Sequence, residues 1–362
     1  MSKTAISEEL KTAISQIKTD IDRELAIFFD VKIAAAGRID PDFKRLVSEM
    51  KKFALRGGKR LRPFMAWLGY QVAGGKDYPA FLQTAVAWEL YHNFAVIHDD
   101  IMDNDATRYG GPNIIGVYER QLKRTHTEAV SHHHARNAAL LAGDVALGFA
   151  FEILQNAPVE PEVRDRLIRE MWHLHFSLAA GQLLDDQAGI SKEIKVKRIR
   201  KIYHYKTARY SMVVPLQSGA VMAGANATIL EILEHYGEHA GIAFQIADDL
   251  LGMFGSSREI GKPNISDLRE GKQTILMHYG FDFASETDKR ILKTRFGNPA
   301  ITTADLKLVR KVLTENGAKA KTIFIAQAEA EAAKKAIARL AMPGSLPQLF
   351  IDFTDYLVNR SS

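Results

Sequence analysis

Four aspartates lie within seven residues, directly after a mostly apolar segment of the chain. They are Asp99, Asp100, Asp103 and Asp105. Four like charges packed this closely raise one another's pKa unless a cation neutralises them. In a helix, Asp99 and Asp103 are one turn apart and share a face. This spacing suits Mg²⁺, which takes one or two protein carboxylates and completes its shell with water and substrate phosphate. A solvated acidic helix end is the alternative, and it would be the better interpretation of one such motif on its own.

Asp248 and Asp249 form a second aspartate pair, which also ends an apolar segment. The residues that follow include Lys262, Asp267 and Lys272, so cations lie close behind the carboxylates. Two apolar segments that each end in paired aspartates and lead into cations are typical of the two sides of one diphosphate site. The pattern therefore predicts a metal-assisted diphosphate site built from both motifs.

Three segments together resemble the trans-isoprenyl diphosphate synthases, also called the polyprenyl synthetase family. The sequence DDIMD at Asp99–Asp103, with Arg108, matches the first aspartate-rich motif of that family. Residues 244–272 match the second motif, and Gly57–Pro63 (GGKRLRP) matches the family's GGKRxRP segment. The three segments occur in the family's order over roughly residues 50–280, which makes the resemblance highly specific.

The resemblance implies an all-α fold in which one domain, residues 1–362, forms an antiparallel helical bundle around a central cavity (the isoprenoid synthase fold). Apolar residues at three- and four-residue steps predict an N-terminal helix within residues 1–35. Asp40, followed by proline, predicts the start of the next helix, and Thr302 predicts another start. The stretch 118–136 is rich in cations and histidines, and it is predicted to be a surface loop.

The resemblance further implies an enzyme, a Mg²⁺-dependent trans-prenyltransferase that condenses isopentenyl diphosphate with an allylic diphosphate. Its product would be a short-chain all-trans polyprenyl diphosphate. The implied metal ligands, for Mg²⁺ or alternatively Mn²⁺, are Asp99, Asp100, Asp103, Asp248 and Asp249. These aspartates are also the implied catalytic residues, together with Arg108 and Lys206. The implied substrate-binding residues are Lys59, Arg62, His92, Arg108, Lys206, Thr207, Gln245, Lys262 and Lys272.

The sequence departs from the family pattern at two positions. The family has an Arg-Arg-Gly turn where this chain has Arg108, Tyr109 and Gly110. Because Tyr109 replaces the cation that pairs with isopentenyl diphosphate, we expect weaker binding of that substrate. Gly252 occupies the position of a third aspartate in the second motif. One metal ligand is therefore missing or replaced by water, which Mg²⁺ accepts.

An aromatic stripe before the first motif bears on product length. Trp88, Tyr91 and Phe94 are spaced so that each lies about 4.5 Å further from the aspartates along one helix face. Aromatic residues at such spacing usually pack in a core, but in this family that face lines the tunnel for the growing chain. Phe94 has the small Ala95 beside it, and the aspartate motif has no insertion. This pattern resembles that of enzymes that make geranylgeranyl diphosphate, with farnesyl diphosphate as the second choice.

The bulk composition excludes several other classes of protein. The chain of 362 residues is 46% hydrophobic and 25% charged, and it contains no cysteine. Disulfides and thiolate metal sites are therefore excluded. The net charge of +5 is modest and does not call for a nucleic-acid partner. Because the N-terminus has no apolar signal core, we expect a cytoplasmic protein without stable membrane insertion. The resemblance also implies a homodimer.

Two other functions remain open at the level of sequence. One is a non-catalytic regulatory subunit of a heteromeric prenyl diphosphate synthase, which the departures at Tyr109 and Gly252 favour. The other is a class I terpene cyclase, which shares metal-bound aspartates but has no isopentenyl diphosphate site. The GGKRLRP segment and His92 argue against a cyclase.

Overall fold

The computed structural model describes residues 7–191, 195–255 and 265–359. The α-helices of the described chain are α1 (Glu8–Ile39), α2 (Pro41–Arg56), α3 (Leu61–Val72), α4 (Tyr78–Met102), α5 (Ile114–Leu122), α6 (Glu128–Gln155), α7 (Pro161–Gly189), α8 (Val196–Ile202), α9 (Val214–Met222), α10 (Ala227–Phe254), α11 (Ser266–Arg269), α12 (Ile275–Asp282), α13 (Glu286–Arg295), α14 (Thr303–Glu315), α15 (Ala318–Ile337) and α16 (Leu346–Val358). A π-helical segment, Tyr203–Val213, joins α8 to α9. A short hairpin of β1 (Thr107–Arg108) and β2 (Gly111–Pro112) follows α4. The prediction of an all-α fold is confirmed.

The predicted helix starts agree with the capping residues. The N-terminal helix begins after Ser7, whose side chain accepts a hydrogen bond from the backbone N–H of Leu10 at 3.3 Å. Asp40 caps α2 in the same way, with a proline at the first helical position. Thr302 and Asp305 form a reciprocal capping box at the start of α14. These starts are local features, because each depends only on a side chain within three residues.

The predicted surface loop over 118–136 is wrong for most of its length. α5 ends at Leu122 and α6 begins at Glu128, so that only residues 123–127 connect the two helices. His132, His133 and His134 lie on α6, whose buried side in this stretch is formed by the small residues Ser131 and Ala135. Buried small residues give little apolar contrast, and the helical period was therefore not visible in the sequence.

Two glycines bring α3 and α9 into backbone contact. A Cβ atom on Gly69 would lie 1.8 Å from the carbonyl oxygen of Leu216, and one on Gly219 would lie 1.7 Å from that of Ala66. Glycine is therefore required at both positions of this crossing. The close approach puts the first turn of α3, with Arg62, beside the π-helical segment.

α4 and α10 carry the two aspartate motifs near their C-terminal ends. α4 is buried along most of its length, and Trp88 and Tyr91 are among the largest fully buried side chains of the described residues. A helix fixed by packing on several sides holds the side chains at its end in defined positions.

Within the described residues, α6 has the length and apolar character of a membrane span. Of its most apolar 18-residue window, 33% is buried inside the protein. A single helix of this kind is weak evidence for a membrane protein, because core helices of soluble proteins pass the same test.

Candidate active site

Both aspartate motifs face one cavity of about 1000 Å³, here called the polar cavity. Its acidic lining residues are Asp99, Asp103, Asp185, Asp186, Asp248, Asp267 and Glu270. Its cationic lining residues are Arg108, Lys206 and Lys272. The tertiary fold thus joins carboxylates and cations from α4, α7, α10, the hairpin and the segment after α10. Such a mixture can hold a diphosphate together with divalent cations.

The first motif positions its side chains through the end of α4. Asp99 lies in the last turn, and Asp103 ends the helix with its backbone N–H donating to the carbonyl oxygen of Asp99 at 2.8 Å. The hairpin then turns at Tyr109 and Gly110, which have positive φ values of 54° and 72°. Two consecutive residues of this conformation are typical of a two-residue type I′ turn. The turn returns Arg108 to the cavity, where its Nη2 lies 3.4 Å from Asp99 Oδ2.

Asp100 does not line the polar cavity, so the prediction that it is a metal ligand is corrected. It is 1% exposed. Its carboxylate accepts hydrogen bonds from Arg108, with Nε at 2.7 Å, and from Asn113 Nδ2 at 2.9 Å. Burial raises the pKa of Asp100 to about 6, although Arg108 opposes the shift. Its role is therefore to hold Arg108.

The prediction that Asp249 is a metal ligand is corrected in the same way, because Asp249 does not line the polar cavity. Asp248 lines the polar cavity, whereas Asp249 is buried and accepts hydrogen bonds from Tyr203 and from Gln245 Nε2, the latter at 2.8 Å. Lys272 Nζ lies 3.9 Å from Asp249 Oδ1. Burial raises the pKa of Asp249 to about 7. Consecutive helical residues point about 100° apart, so one member of each aspartate pair faces the cavity and the other faces the core.

Lys206 connects two walls of the polar cavity. Its Nζ lies 2.6 Å from Asp185 Oδ2 and 3.6 Å from Asp99 Oδ1. Burial lowers the pKa of Lys206, but the charges of these two aspartates outweigh it, and the pKa lies above its ordinary value. The ammonium group is therefore charged. It is presented by the π-helical segment, a feature often found at functional sites.

Thr207 and Gln245 complete the wall between the π-helical segment and α10. The Thr207 hydroxyl donates to Gln245 Oε1 at 2.5 Å, and Gln245 Nε2 in turn donates to Asp249. Gln245 lines the polar cavity, and Thr207 lines a second cavity that adjoins it and is described below as the apolar cavity. The two predicted substrate-binding residues thus belong to one hydrogen-bonded chain.

Arg62, His92 and Tyr109 form a second polar cluster beside the first. The Arg62 guanidinium lies 4.0 Å from the centre of the Tyr210 ring, and its Nη2 donates to Ser211 Oγ at 2.8 Å. Arg62 Nε is buried without a hydrogen-bond partner among the described residues. His92 joins two hydroxyls: Tyr210 lies 2.5 Å from Nδ1, and Tyr109 lies 3.4 Å from Nε2. The unused Arg62 donor suits an anionic ligand.

Lys59 lies outside both cavities. Lys59 is exposed, and its Nζ lies 4.9 Å from the centre of the Tyr356 ring on α16. It lines neither the polar nor the apolar cavity. The predicted contribution of Lys262 lies outside the described residues.

Arg60 anchors the GGKRLRP segment to the core. It is buried, with Nε 2.6 Å from Asp22 Oδ1 and Nη1 2.8 Å from Glu89 Oε1. Its Nη2 also donates to the carbonyl oxygen of Ala54 at 2.7 Å. Satisfied ion pairs of this kind tie α1, α2 and α4 to the segment that begins α3.

A second cavity, of about 800 Å³ and here called the apolar cavity, continues from the polar one. The two share Asp99, Arg108, Lys206 and Asp248 among their lining residues. Of the predicted aromatic stripe, only Phe94 lines this cavity, together with Ala95. The assignment of Trp88 and Tyr91 as tunnel residues is corrected, because both are buried in the core.

His175 on α7 contributes to the apolar cavity without any signal in the sequence. Its ring centre lies 5.4 Å from that of Phe94, and its Nδ1 lies 3.4 Å from the Tyr91 hydroxyl. His98 lines the same cavity, with its ring 4.9 Å from Phe94. The ring of Phe94 is thus held between two histidines, one from its own helix and one from α7.

The polar cavity suits Mg²⁺ by the chemistry of its donors. Within the part of the chain that the structure describes, no three acidic or histidine side chains converge closely enough to hold a metal ion alone. Mg²⁺ requires no such cage, since it is usually held by one or two carboxylates with water and phosphate oxygens. Asp99, Asp103 and Asp248 are the motif aspartates that line the cavity and would hold it.

Comparison with known proteins decides the family. The model of the Polyprenyl synthetase family matches residues 44–313. The chain belongs to the polyprenyl synthetase family. A geranylgeranyl diphosphate synthase of Saccharolobus solfataricus is 30% identical over 307 residues, which cover 81% of this chain and 85% of that protein. A (2E,6E)-farnesyl diphosphate synthase of Mycobacterium tuberculosis is 28% identical over 338 residues, covering 90% and 89% respectively.

A solved structure agrees with this polyprenyl synthetase assignment. Geranylgeranyl pyrophosphate synthase from Corynebacterium glutamicum, complexed with isoprenyl diphosphate and magnesium, superposes with a TM-score of 0.90 and 27% sequence identity. The match covers 95% of this chain and 99% of that one. The chain is accordingly a short-chain trans-prenyltransferase that acts on isoprenoid diphosphates, in a family that depends on divalent metal ions. The relatives support neither a regulatory subunit nor a terpene cyclase.

Proposed function

We propose that this prenyltransferase makes geranylgeranyl diphosphate from isopentenyl diphosphate and a shorter allylic diphosphate, with farnesyl diphosphate as the second choice of product. The observation that supports this length is the pair Phe94 and Ala95 in the wall of the apolar cavity. Phe94 narrows the space into which a chain would grow, whereas the small Ala95 leaves room beside it. Very long products are disfavoured for the same reason.

The allylic diphosphate would lie in the polar cavity. Bound Mg²⁺ or Mn²⁺, held by Asp99, Asp103 and Asp248, supplies Lewis-acid stabilisation of the diphosphate oxygens. Arg108, Lys206 and Lys272 bring positive charge to the same oxygens as the carbon–oxygen bond breaks. Fixed cations in a closed site stabilise such developing negative charge more strongly than water does.

Isopentenyl diphosphate would bind beside it, at Arg62, His92 and Tyr109. The free Nε of Arg62 offers a charge-assisted hydrogen bond, and Tyr109 offers a neutral one. In this arrangement the double bond of isopentenyl diphosphate attacks the allylic cation, and a proton is then lost to the departing diphosphate. The apolar cavity excludes water that would otherwise capture the cation.

Metal dependence tests this assignment directly. We expect excess chelator to abolish product formation and added Mg²⁺ or Mn²⁺ to restore it. Asp99→Ala and Asp248→Ala should each lower turnover by orders of magnitude without changing the helical circular dichroism spectrum. Full activity in excess chelator would refute the mechanism.

Product length is tested by incubating the purified protein with Mg²⁺, isopentenyl diphosphate and a panel of allylic primers. The products are then separated by chain length. Geranylgeranyl diphosphate should be the main product from a farnesyl primer, with little extension beyond it. If the shorter primers give mainly a fifteen-carbon product and the farnesyl primer is not extended, the second choice, farnesyl diphosphate, is favoured instead.

We also propose that a second copy of the chain covers one face of α6 and α7. Large apolar side chains are exposed on these two helices, namely Leu140, Leu141, Trp172, Phe176 and Leu183. The helices lie side by side, as the stacked rings of Phe151 and Trp172 at 4.4 Å indicate. Extended exposed apolar patches mark interaction sites, and a two-fold dimer would bury the same face of both copies. Covering α6 would also suit a cytoplasmic enzyme without membrane insertion.

Light scattering on a sizing column tests the dimer. Phe176 is 82% exposed on α7, and Phe324 is 63% exposed on the distant α15. Phe176→Glu should convert the dimer to a monomer, because it buries a charge in the interface. The matched change Phe324→Glu should leave the dimer intact. A monomeric parent protein would refute the proposal.

A further inference from the structure

The π-helical segment Tyr203–Val213 supplies side chains to both of the proposed substrate sites. Lys206 lies at the allylic diphosphate site, where its Nζ is 2.6 Å from Asp185 Oδ2. Ser211 lies at the isopentenyl diphosphate site, where its Oγ accepts a hydrogen bond from Arg62 at 2.8 Å. The position of this one segment therefore affects both sites.

The π-helical geometry brings Lys206 and Ser211 to the same side of the segment. The two residues are five positions apart. In an α-helix they would point about 140° apart, whereas in a π-helix the backbone hydrogen bond joins residues i and i+5, and the two lie close to one face. The segment keeps this geometry over 11 residues, although π-helical stretches are rare and usually only one turn long. Contacts from outside the segment must therefore hold it.

Backbone contacts with α7 and α10 are the first of these restraints. A Cβ atom on Gly181 would lie 2.7 Å from the backbone nitrogen of Lys206, and one on Gly241 would lie 2.4 Å from Cα of Ala208. The atoms that would be met belong to the main chain and cannot swing aside, so glycine is required at both positions. These contacts set the distance between the segment and the two helices.

Two polar pairs, here called the anchoring pairs, join the segment to α10. His204 Nδ1 lies 2.6 Å from Glu238 Oε1, and Arg209 Nη1 lies 3.3 Å from Glu234 Oε1. The two glutamates are one turn apart on α10 and share a face of that helix. His204 and Arg209 are five positions apart, and each comes two residues before a side chain of the segment that reaches a substrate site. Each anchoring pair therefore fixes the backbone next to one site.

We propose that each anchoring pair positions one substrate site and leaves the other site unaffected. The pair of His204 and Glu238 holds the backbone that presents Lys206 to the allylic diphosphate. The pair of Arg209 and Glu234 holds the backbone beside the isopentenyl diphosphate site. Neither pair lines the polar or the apolar cavity, so both act through the segment. The inference rests on the proposed function, since it takes the two substrate sites as assigned there.

Three glutamate-to-alanine substitutions on α10 test the proposal. Glu238→Ala and Glu234→Ala each remove one anchoring pair. Glu231→Ala is the matched control, because it removes an equal charge from a residue that lies 4.0 Å from His235 of its own helix. KM and kcat are measured for farnesyl diphosphate and for isopentenyl diphosphate, each with the other substrate saturating and with Mg²⁺ in excess. Thermal unfolding shows whether each variant folds, and the milder change to glutamine replaces a variant that does not.

Glu238→Ala should raise KM for farnesyl diphosphate by about two- to fivefold, the range that a partly exposed ion pair contributes. Its KM for isopentenyl diphosphate should stay at the parent value. Glu234→Ala should show the opposite pattern, and Glu231→Ala should match the parent for both substrates. The exchange of Arg209→Glu with Glu234→Arg keeps a pair of opposite charges, and it should restore KM for isopentenyl diphosphate.

This separation of the two KM values distinguishes positioning from a general loss of structure, which would affect both substrates alike. Equal rises for both substrates, no rise in either variant, or the reverse assignment of the two pairs would each overturn the proposal. An equal effect of Glu231→Ala would overturn it as well. A parent protein that extends no allylic primer would instead overturn the proposed function, and this inference with it.

Discussion

The carboxylate of Asp100 turns away from the polar cavity and accepts a hydrogen bond from Arg108 Nε at 2.7 Å. The second motif repeats this relationship, since Asp249 is buried with Lys272 Nζ 3.9 Å from its Oδ1. In both motifs the first aspartate faces the cavity, and the second lies beside a cation that also lines it. Each pair therefore presents one carboxylate to the cavity and uses the other to position a cation.

This division predicts different defects for neighbouring residues. Asp99→Asn should weaken the apparent affinity for Mg²⁺, because it removes a ligand. Asp100→Asn should leave the Mg²⁺ dependence nearly unchanged but raise KM for the allylic diphosphate, since Arg108 loses its partner. A charge-assisted hydrogen bond contributes about 1.5–3 kcal/mol, which corresponds to a rise of roughly 10- to 150-fold. Steady-state kinetics at several Mg²⁺ concentrations measure both effects. Equal loss of Mg²⁺ affinity in the two variants would contradict the assignment.

Replacing Tyr109 by arginine should increase the affinity for isopentenyl diphosphate. Its hydroxyl lies 3.4 Å from His92 Nε2, and its ring packs against Phe53 with centres 5.8 Å apart. Tyr109→Arg should lower KM for isopentenyl diphosphate by roughly 10- to 150-fold at most, which corresponds to about 1.5–3 kcal/mol, with little change for the allylic substrate. Tyr109→Phe, which removes only the hydroxyl, is the control and should bind isopentenyl diphosphate slightly less well. If Tyr109→Arg is inactive, the tyrosine has a role of its own.

The burial of His92 should make the free energy of unfolding depend on pH. Burial and the charges of Arg62, Arg108 and Arg60 hold the pKa of His92 well below its ordinary value. Below about pH 6.5 the unfolded chain protonates this histidine whereas the folded protein does not. The unfolded state then binds more protons, so the free energy of unfolding falls as pH decreases, by at most about 1.4 kcal/mol per pH unit.

Urea unfolding of the metal-free protein between pH 5 and 8 measures this effect. The fall in stability below about pH 6.5 should be smaller in His92→Gln than in the parent. His126→Gln, which makes the same change at an exposed position, is the control. Identical pH profiles for His92→Gln and the parent would show that His92 titrates normally in the folded protein.

Product length should respond to both sides of the apolar cavity. Phe94→Ala should lengthen the product and Ala95→Phe should shorten it, because these side chains line the space for the growing chain. His175→Ala should also lengthen the product, since its ring packs against Phe94 from α7. Trp88→Phe is the matched control, because Trp88 is buried outside the cavity and its replacement should leave the length unchanged. Chromatography of the dephosphorylated products measures the chain length. If none of the three cavity substitutions shifts the product, the length is set elsewhere.

The amino-acid sequence determined the local features of the molecule. The helix starts at Asp40 and Thr302 depend on side chains a few residues away, and they were predicted from those residues alone. The shared face of Asp99 and Asp103 follows from the helical repeat, and both line the polar cavity. Short-range geometry of this kind needs no information about the rest of the chain. The three family motifs, which are also local patterns, were enough to identify the family.

Only the tertiary structure decided which side of each helix faces the cavity. The period of a helix shows that Asp99 and Asp100 point in different directions, but the packing of α4 determines which of them is buried. His175 reaches the site from a segment that no motif marks, because it is brought there by contacts between residues distant in the chain. Burial and long-range packing depend on all neighbouring elements at once, and a pattern read within one segment does not contain them.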